Sequence, residues 1–171
     1  MSSSDIDDRD YDRHWKMLWN VQLGIRYHMH MQNFYGRFGK FVTAFTLILS
    51  TSAGATLIGS HAEIAKILAF AAALLQTLEL VIDSKAKTIL HTTLRQRYIQ
   101  LESELAISDY LSKSEEATFK AKRASIEIEE PPIIFPLMDK CNNELVKVHN
   151  LGQSHNQKLS FFNSIKAWWY S

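Results

Sequence analysis

Residues 41–62 contain no Asp, Glu, Lys or Arg. As a helix those 22 residues reach roughly 33 Å, the thickness of a bilayer's hydrocarbon core. A soluble bundle must cover a helix that is apolar all round on every side, and a chain of 171 residues has few helices with which to do it. A bilayer supplies that cover, so the stretch reads as a transmembrane span. It begins too far along the chain for a secretory leader and is expected to remain in the mature protein. The competing reading, a buried core helix of a soluble bundle, draws on the seven Ser and Thr among residues 41–60.

A second apolar run covers residues 67–82 and is interrupted only by Gln76, Thr77 and Glu79. Starting it at Ile64, with Lys66 reaching back to the interface, brings it to nearly full span. Two spans, about 41–60 and 64–82, joined by a tight turn around residues 60–63, make a hairpin. Arg26, Arg37 and Lys40 precede the first run and Lys85, Lys87, Arg95 and Arg97 follow the second, whereas only Lys66 flanks the turn. Both termini are therefore expected in the cytoplasm. The mean hydropathy of −0.15 conceals this because the apolar residues are concentrated in the middle of the chain.

The rest reads as helix. Six Gly and three Pro leave long segments uninterrupted, and the expected class is an all-α membrane protein whose hairpin extends into a cytoplasmic helical bundle. Its divisions are an N-terminal amphipathic segment, residues 1–40, a hairpin, residues 41–82, and a C-terminal helical region, residues 83–171. Tyr11, Trp15, Leu18, Val21, Ile25 and Met29 recur at helical spacing upstream of the hairpin, from about residue 7 to residue 32. Downstream, Ala86, Leu90, Leu94, Tyr98, Leu101 and Leu105 form another stripe, so the second span is expected to continue straight into the cytosol and stop near residues 107–110. Ser112-Lys-Ser-Glu115 has the spacing of a capping box and opens a helix that ends before Pro131-Pro132. A further helix after Pro136 is expected to bury Leu137, Met138, Cys141, Leu145 and Val148 and to end at Gly152. The aromatic segment 158–171 suits either a membrane interface or the bundle.

With 19 Lys+Arg against 18 Asp+Glu, no basic surplus argues for nucleic-acid binding. One cysteine, Cys141, excludes a disulfide-stapled scaffold. His28 and His30 stand two apart, on different helical directions, so no metal is expected, and no cofactor or catalytic constellation is legible. A phosphate loop is also missing from the sequence.

The order of these parts carries a resemblance. A cytoplasmic helix, two spans with a very short turn, a returning helix with Arg95-Gln-Arg97-Tyr98, then Arg123, Glu129-Glu130-Pro131 and Cys141-Asn142-Asn143-Glu144 resemble the SLATT family of bacterial two-helix membrane effectors over roughly residues 10–155. The resemblance implies a pore-forming effector of anti-phage defence in the bacterial inner membrane. It also implies a nucleotide second messenger, or the nucleotidyltransferase that makes one, as a partner.

A single hairpin has too little polar lining to conduct ions, so a pore requires a homo-oligomer, with a tetramer as the working number. Thr43, Thr46, Ser50 and Gly54 share one face of the first span, and Gln76, Glu79 and Asp83 one face of the second. These are the candidate pore-lining residues, and tight helix packing is the alternative role for them. Arg95, Arg97, Lys120, Lys122 and Arg123 are the candidates for binding a phosphate-rich ligand or a partner. A non-conducting membrane scaffold that recruits a soluble partner is the alternative function, and a soluble helical adaptor a third.

Overall fold

The computed structural model describes residues 8–51 and 62–171. Every regular element among them is helical: α1 (Asp8–Ser50), α2 (Ala62–Ile82), α3 (Ser84–Leu105), α4 (Lys113–Glu127), α5 (Phe135–Val148), a 3-10 turn (Gln153–His155) and α6 (Phe161–Trp169). The described residues divide into two compact units. A terminal unit takes its residues from Met1–Met31 and His91–Ser171, and a middle unit from Gln32–Leu90.

In α1 no proline interrupts the backbone, and the amphipathic segment and the start of the first expected span form one helix. Its buried face differs from the stripe read in the sequence. Tyr11 and Trp15 are exposed, and the buried positions are Met17, Val21, Gly24, Tyr27, His28, His30 and Met31, with Val42 further along. The spacing is still helical, but a glycine and two histidines take places where apolar side chains are expected. Gly24 is there for space: a Cβ at that position would lie 2.8 Å from the Tyr98 ring, so only glycine lets the ring approach the α1 backbone.

Across from it, α3 buries Leu94, Tyr98, Leu101 and Leu105 of its expected stripe, with His91 buried one turn earlier, whereas Leu90 is half-buried and Ala86 exposed. It stops at Leu105 and gives way to a turn. Ser112 then caps α4: Glu115 N–H donates to the Ser112 hydroxyl and the Glu115 carboxylate accepts from Ser112 N–H at 2.8 Å, the reciprocal arrangement the spacing foretells.

For α5, Leu137, Cys141 and Leu145 are buried, Met138 is half-buried, and Val148 is 57% exposed with Val146 taking its place inside. The helix ends earlier than Gly152. Asn150 is left-handed (φ 53°), Leu151 N–H reaches the Val146 carbonyl at 2.9 Å and Asn150 N–H the Lys147 carbonyl at 3.2 Å. That is a Schellman closure with Asn in the position glycine usually occupies. Helix α6 packs on α5 through the buried Ala167, and its Phe161, Phe162, Trp168 and Trp169 rings are exposed.

Within the middle unit, α1 from Gln32 onward and the α2–α3 segment run antiparallel: Gly36 lies beside Thr88, Gly39 beside Ser84, and Thr46 beside Gln76. The returning helix is not straight. Asp83 between α2 and α3 has φ 50°, and its carboxylate accepts from Ala86 N–H at 3.1 Å, so one left-handed residue ends α2 and caps α3. By length and composition one helical segment among the described residues, Glu63–Leu105, interrupted at Asp83, is long and apolar enough to cross a membrane, and none of its apolar 18-residue window is buried. The first expected span is described only through Thr51. The rest of it, with Gly54 and the turn expected at residues 60–63 as far as His61, lies outside the described residues.

Candidate functional site

Polar side chains of the middle unit are drawn together, as their helical spacing requires, but they bond to one another or to their own backbone. Gln76 Nε2 donates to Thr46 Oγ1 at 2.7 Å across the two helices. Ser84, itself buried, donates from Oγ to Glu79 Oε2 at 2.6 Å. Thr43 returns its hydroxyl to the Gly39 carbonyl at 2.9 Å and Ser50 to Leu47 at 2.9 Å. Hydroxyls that turn back onto the preceding helical turn leave their oxygen available as an acceptor.

Around these groups the surface is apolar. Phe41, Leu47 and Ile48 on α1 and Ile67, Phe70, Leu80 and Val81 on α2 are all more than half exposed. Such a patch on a folded chain marks a surface that meets lipid or another protein.

Of the candidate ligand-binding cations, four face a carboxylate. Arg97 pairs with Glu129 at 2.6 Å, Lys120 with Glu116 at 2.7 Å, Arg123 with Glu127 at 2.9 Å, and Lys122 with Glu104. Arg95 has no carboxylate partner among the described residues. The charge of these four cations is balanced by carboxylates of the same unit.

The terminal unit holds a buried polar network that sequence reasoning missed. His28 on α1 and His91 on α3 are both fully buried, with their Nδ1 atoms 2.9 Å apart. His28 Nε2 faces Glu130 Oε1 at 3.1 Å, and the Tyr98 hydroxyl donates to the same oxygen at 2.7 Å. Two facing Nδ1 atoms can share only one hydrogen. The tautomers that satisfy every contact put the His28 hydrogen on Nε2, toward Glu130, and the shared one on His91. Burial raises the Glu130 carboxyl, but the hydrogen bonds from His28 and Tyr98 and the nearby imidazoles outweigh it, and the group is held below the usual carboxylate range. Tyr98 moves upward, by burial first and then by its bond to Glu130.

A second cluster lies nearby in the same unit. Glu144 accepts from His30 at 3.0 Å and from Arg26 at 3.3 Å. Burial works against the charged form there too, and the bond from His30 with the charges of His30, Lys140 and Arg26 keeps the carboxyl low. Cys141 is pushed up to about 12, chiefly by burial and then by Glu144, so its thiol is a packing group. Among the described residues no group of three His, Cys, Asp or Glu side chains is arranged to hold a metal.

The short motifs behind the family resemblance therefore have local work in this fold. Arg97 and Tyr98 meet Glu129 and Glu130 pairwise, and Glu144 of the Cys141-Asn142-Asn143-Glu144 stretch anchors α5 to α1. The signal that finds the network is the meeting of Tyr98 and Glu130 with a histidine on a helix's inner face. Spacing alone gives no hint that residues 28, 91 and 130 converge. Compared with protein-family models, curated proteins and solved structures, the chain finds no match in any of the three.

Proposed function

We propose that this chain is a pore-forming effector of a bacterial inner membrane. Several copies, four as the working number, would assemble their middle units into an ion path and depolarise the cell. Both termini then lie in the cytoplasm. A nucleotide second messenger, or the enzyme that makes it, acts on the terminal unit by favouring one of its states. The phage-defence setting rests on the family resemblance alone.

The observation that supports the membrane part is the bare apolar window of Glu63–Leu105, none of it buried. A lone charged residue in such a helix costs about 2.5–3.5 kcal/mol at mid-bilayer. Glu79 avoids part of that by accepting from Ser84 near the end of α2. In an oligomer Glu79 and Asp83 would form an acidic inner mouth that favours cations. Planar-bilayer recording of the reconstituted chain tests this reading. It predicts cation-selective conductance, with selectivity reduced in Glu79→Gln. Silent bilayers from verified, inserted protein, together with unchanged membrane potential on expression, overturn it.

One observation favours a second reading. The Thr46–Gln76 and Ser84–Glu79 bonds satisfy polar groups inside one chain, as helix packing without a pore requires. A non-conducting scaffold, recruiting a soluble partner through its cytoplasmic helices, predicts oligomers and no current.

A further inference from the structure

The middle unit carries a groove of about 640 Å³ along the antiparallel contact of α1 with the α2–α3 segment. Gly36 and Gly39 open one wall of it, and Ala44 and Leu47 continue that wall as an apolar slot. The two glycines act differently. At Gly39 a Cβ would come within 3.3 Å of Ser84 Cβ, so the helices are tightly apposed there, whereas at Gly36 it would meet only Thr88, at 3.9 Å. The groove thus stays open beside Gly36, and a larger side chain there would fill it without forcing the helices apart.

Two ammonium groups line the same groove, those of Lys40 and Lys85. Both side chains are exposed, and neither has a carboxylate partner among the described residues. The only carboxylate on the wall, Glu79, already accepts from Ser84. Lys40 directly precedes the first apolar stretch and Lys85 follows the second, so both stand where a bilayer's headgroups begin and the slot continues toward its acyl chains.

We propose that this groove binds one anionic phospholipid, its phosphate against Lys40 and Lys85 and one acyl chain along Ala44 and Leu47. This rests on the reading that the middle unit lies in a membrane. Two cations against one engaged carboxylate select a negative headgroup over a zwitterionic one, and the apolar slot selects a lipid over free phosphate.

The test uses the full chain reconstituted in vesicles of phosphatidylcholine or phosphatidylglycerol, with insertion checked by resistance to alkaline extraction. Lipid retained after detergent extraction is then counted by native mass spectrometry. The expected result is retained phosphatidylglycerol in preference to phosphatidylcholine. Each lysine at an anionic surface contributes about fivefold, so Lys40→Gln with Lys85→Gln should lower that preference about twenty- to thirtyfold. Gly36→Leu, with every charge intact, should abolish retention. Arg37→Gln with Lys87→Gln removes two nearby charges outside the groove and should leave retention unchanged.

Equal loss from both charge pairs would mean general surface attraction and overturn the site. Insertion without retained phosphatidylglycerol would overturn it while leaving the membrane reading intact. Failure to insert in either vesicle would overturn both. Should Gly36→Leu break up the oligomer without changing lipid retention, a second copy occupies the groove and the lipid proposal falls. Free inorganic phosphate that competes as well as the lipid would likewise overturn the lipid proposal and leave only a pair of lysines that binds an anion.

Discussion

The terminal unit has a buried apolar core, even though it also exposes Phe161, Phe162, Trp168 and Trp169, whereas Val42 is the one apolar side chain buried among the described residues of the middle unit. In the terminal unit Leu94, Leu137 and Leu145 are almost wholly buried, and the same interior accepts two histidines and a carboxylate because each has a partner. In the middle unit Phe70 is 72% exposed and Leu80 82% exposed, while polar side chains such as Thr46 and Gln76 turn toward each other. One unit follows the rule of water, with an apolar interior into which the buried imidazoles enter in hydrogen-bonded contact. The other has the pattern expected where the solvent is hydrocarbon and polar groups hold helices together.

Large-to-small changes sharpen that contrast most. Leu137→Ala should destabilise the terminal unit by about 2–5 kcal/mol, the transfer term plus a cavity. Phe70→Ala should change unfolding of the detergent-solubilised chain by no more than about 0.5 kcal/mol. All four tryptophans, at positions 15, 19, 168 and 169, lie in the terminal unit, so tryptophan fluorescence during thermal unfolding reports on that unit. Hydrogen exchange covers the other. Comparable losses from the two substitutions would erase the distinction.

The reverse asymmetry is expected for charge. Leu74→Arg should disfavour membrane insertion by about 2.5–3.5 kcal/mol and leave the terminal unit's melting unaltered, as read by the inserted fraction and the fluorescence midpoint. An unaltered inserted fraction would place Leu74 outside hydrocarbon.

Next in size is the imidazole network. Glu130→Gln leaves a buried histidine and phenol imperfectly paired and should cost about 1–3 kcal/mol. Glu130 and Glu144 are both held below the usual carboxylate range in the fold. Their contribution is therefore complete above the unfolded value of about 4.3 and is lost as pH falls through the lower folded values. The terminal unit's melting temperature should fall on acidification below about pH 4, less steeply in Glu130→Gln than in the parent chain. Equal slopes would remove Glu130 from the account.

Smallest is Gln76→Leu, which removes the bond to Thr46. Interhelical hydrogen bonds of this kind average about 0.6 kcal/mol. The loss should appear only in the middle unit's hydrogen exchange.

Several of these features were legible in the sequence for local reasons. The capping box at Ser112 and Glu115 is written in a few adjacent residues, and the stripe from Leu94 to Leu105 is a clean helical period. The α1 face was misread because an apolar count cannot see that Gly24 admits a tyrosine ring or that His28 is satisfied inside. Gly152 drew attention because glycine usually closes helices, yet Asn150 tolerates the left-handed turn. The His28–His91–Glu130 convergence depends on tertiary contacts between residues up to 102 positions apart, which no periodicity encodes. Lys120 and Arg123 stand four residues from Glu116 and Glu127, so their pairing follows from helical spacing, whereas Lys122 meets Glu104 on another helix, which no local spacing encodes.

Phe70 and Ile107 give the most direct comparison of the two environments. Both are strongly exposed apolar side chains, at 72% and 85%, one in each unit. Spin labels at Phe70→Cys and at Ile107→Cys, in a Cys141→Ala background reconstituted in vesicles, report which solvent each side chain meets. The account predicts that the label at position 70 collides with dissolved oxygen far more than with a water-soluble nickel chelate, and that the label at 107 shows the opposite. Strong nickel broadening at position 70, matching that at 107, would mean that water surrounds the apolar helix.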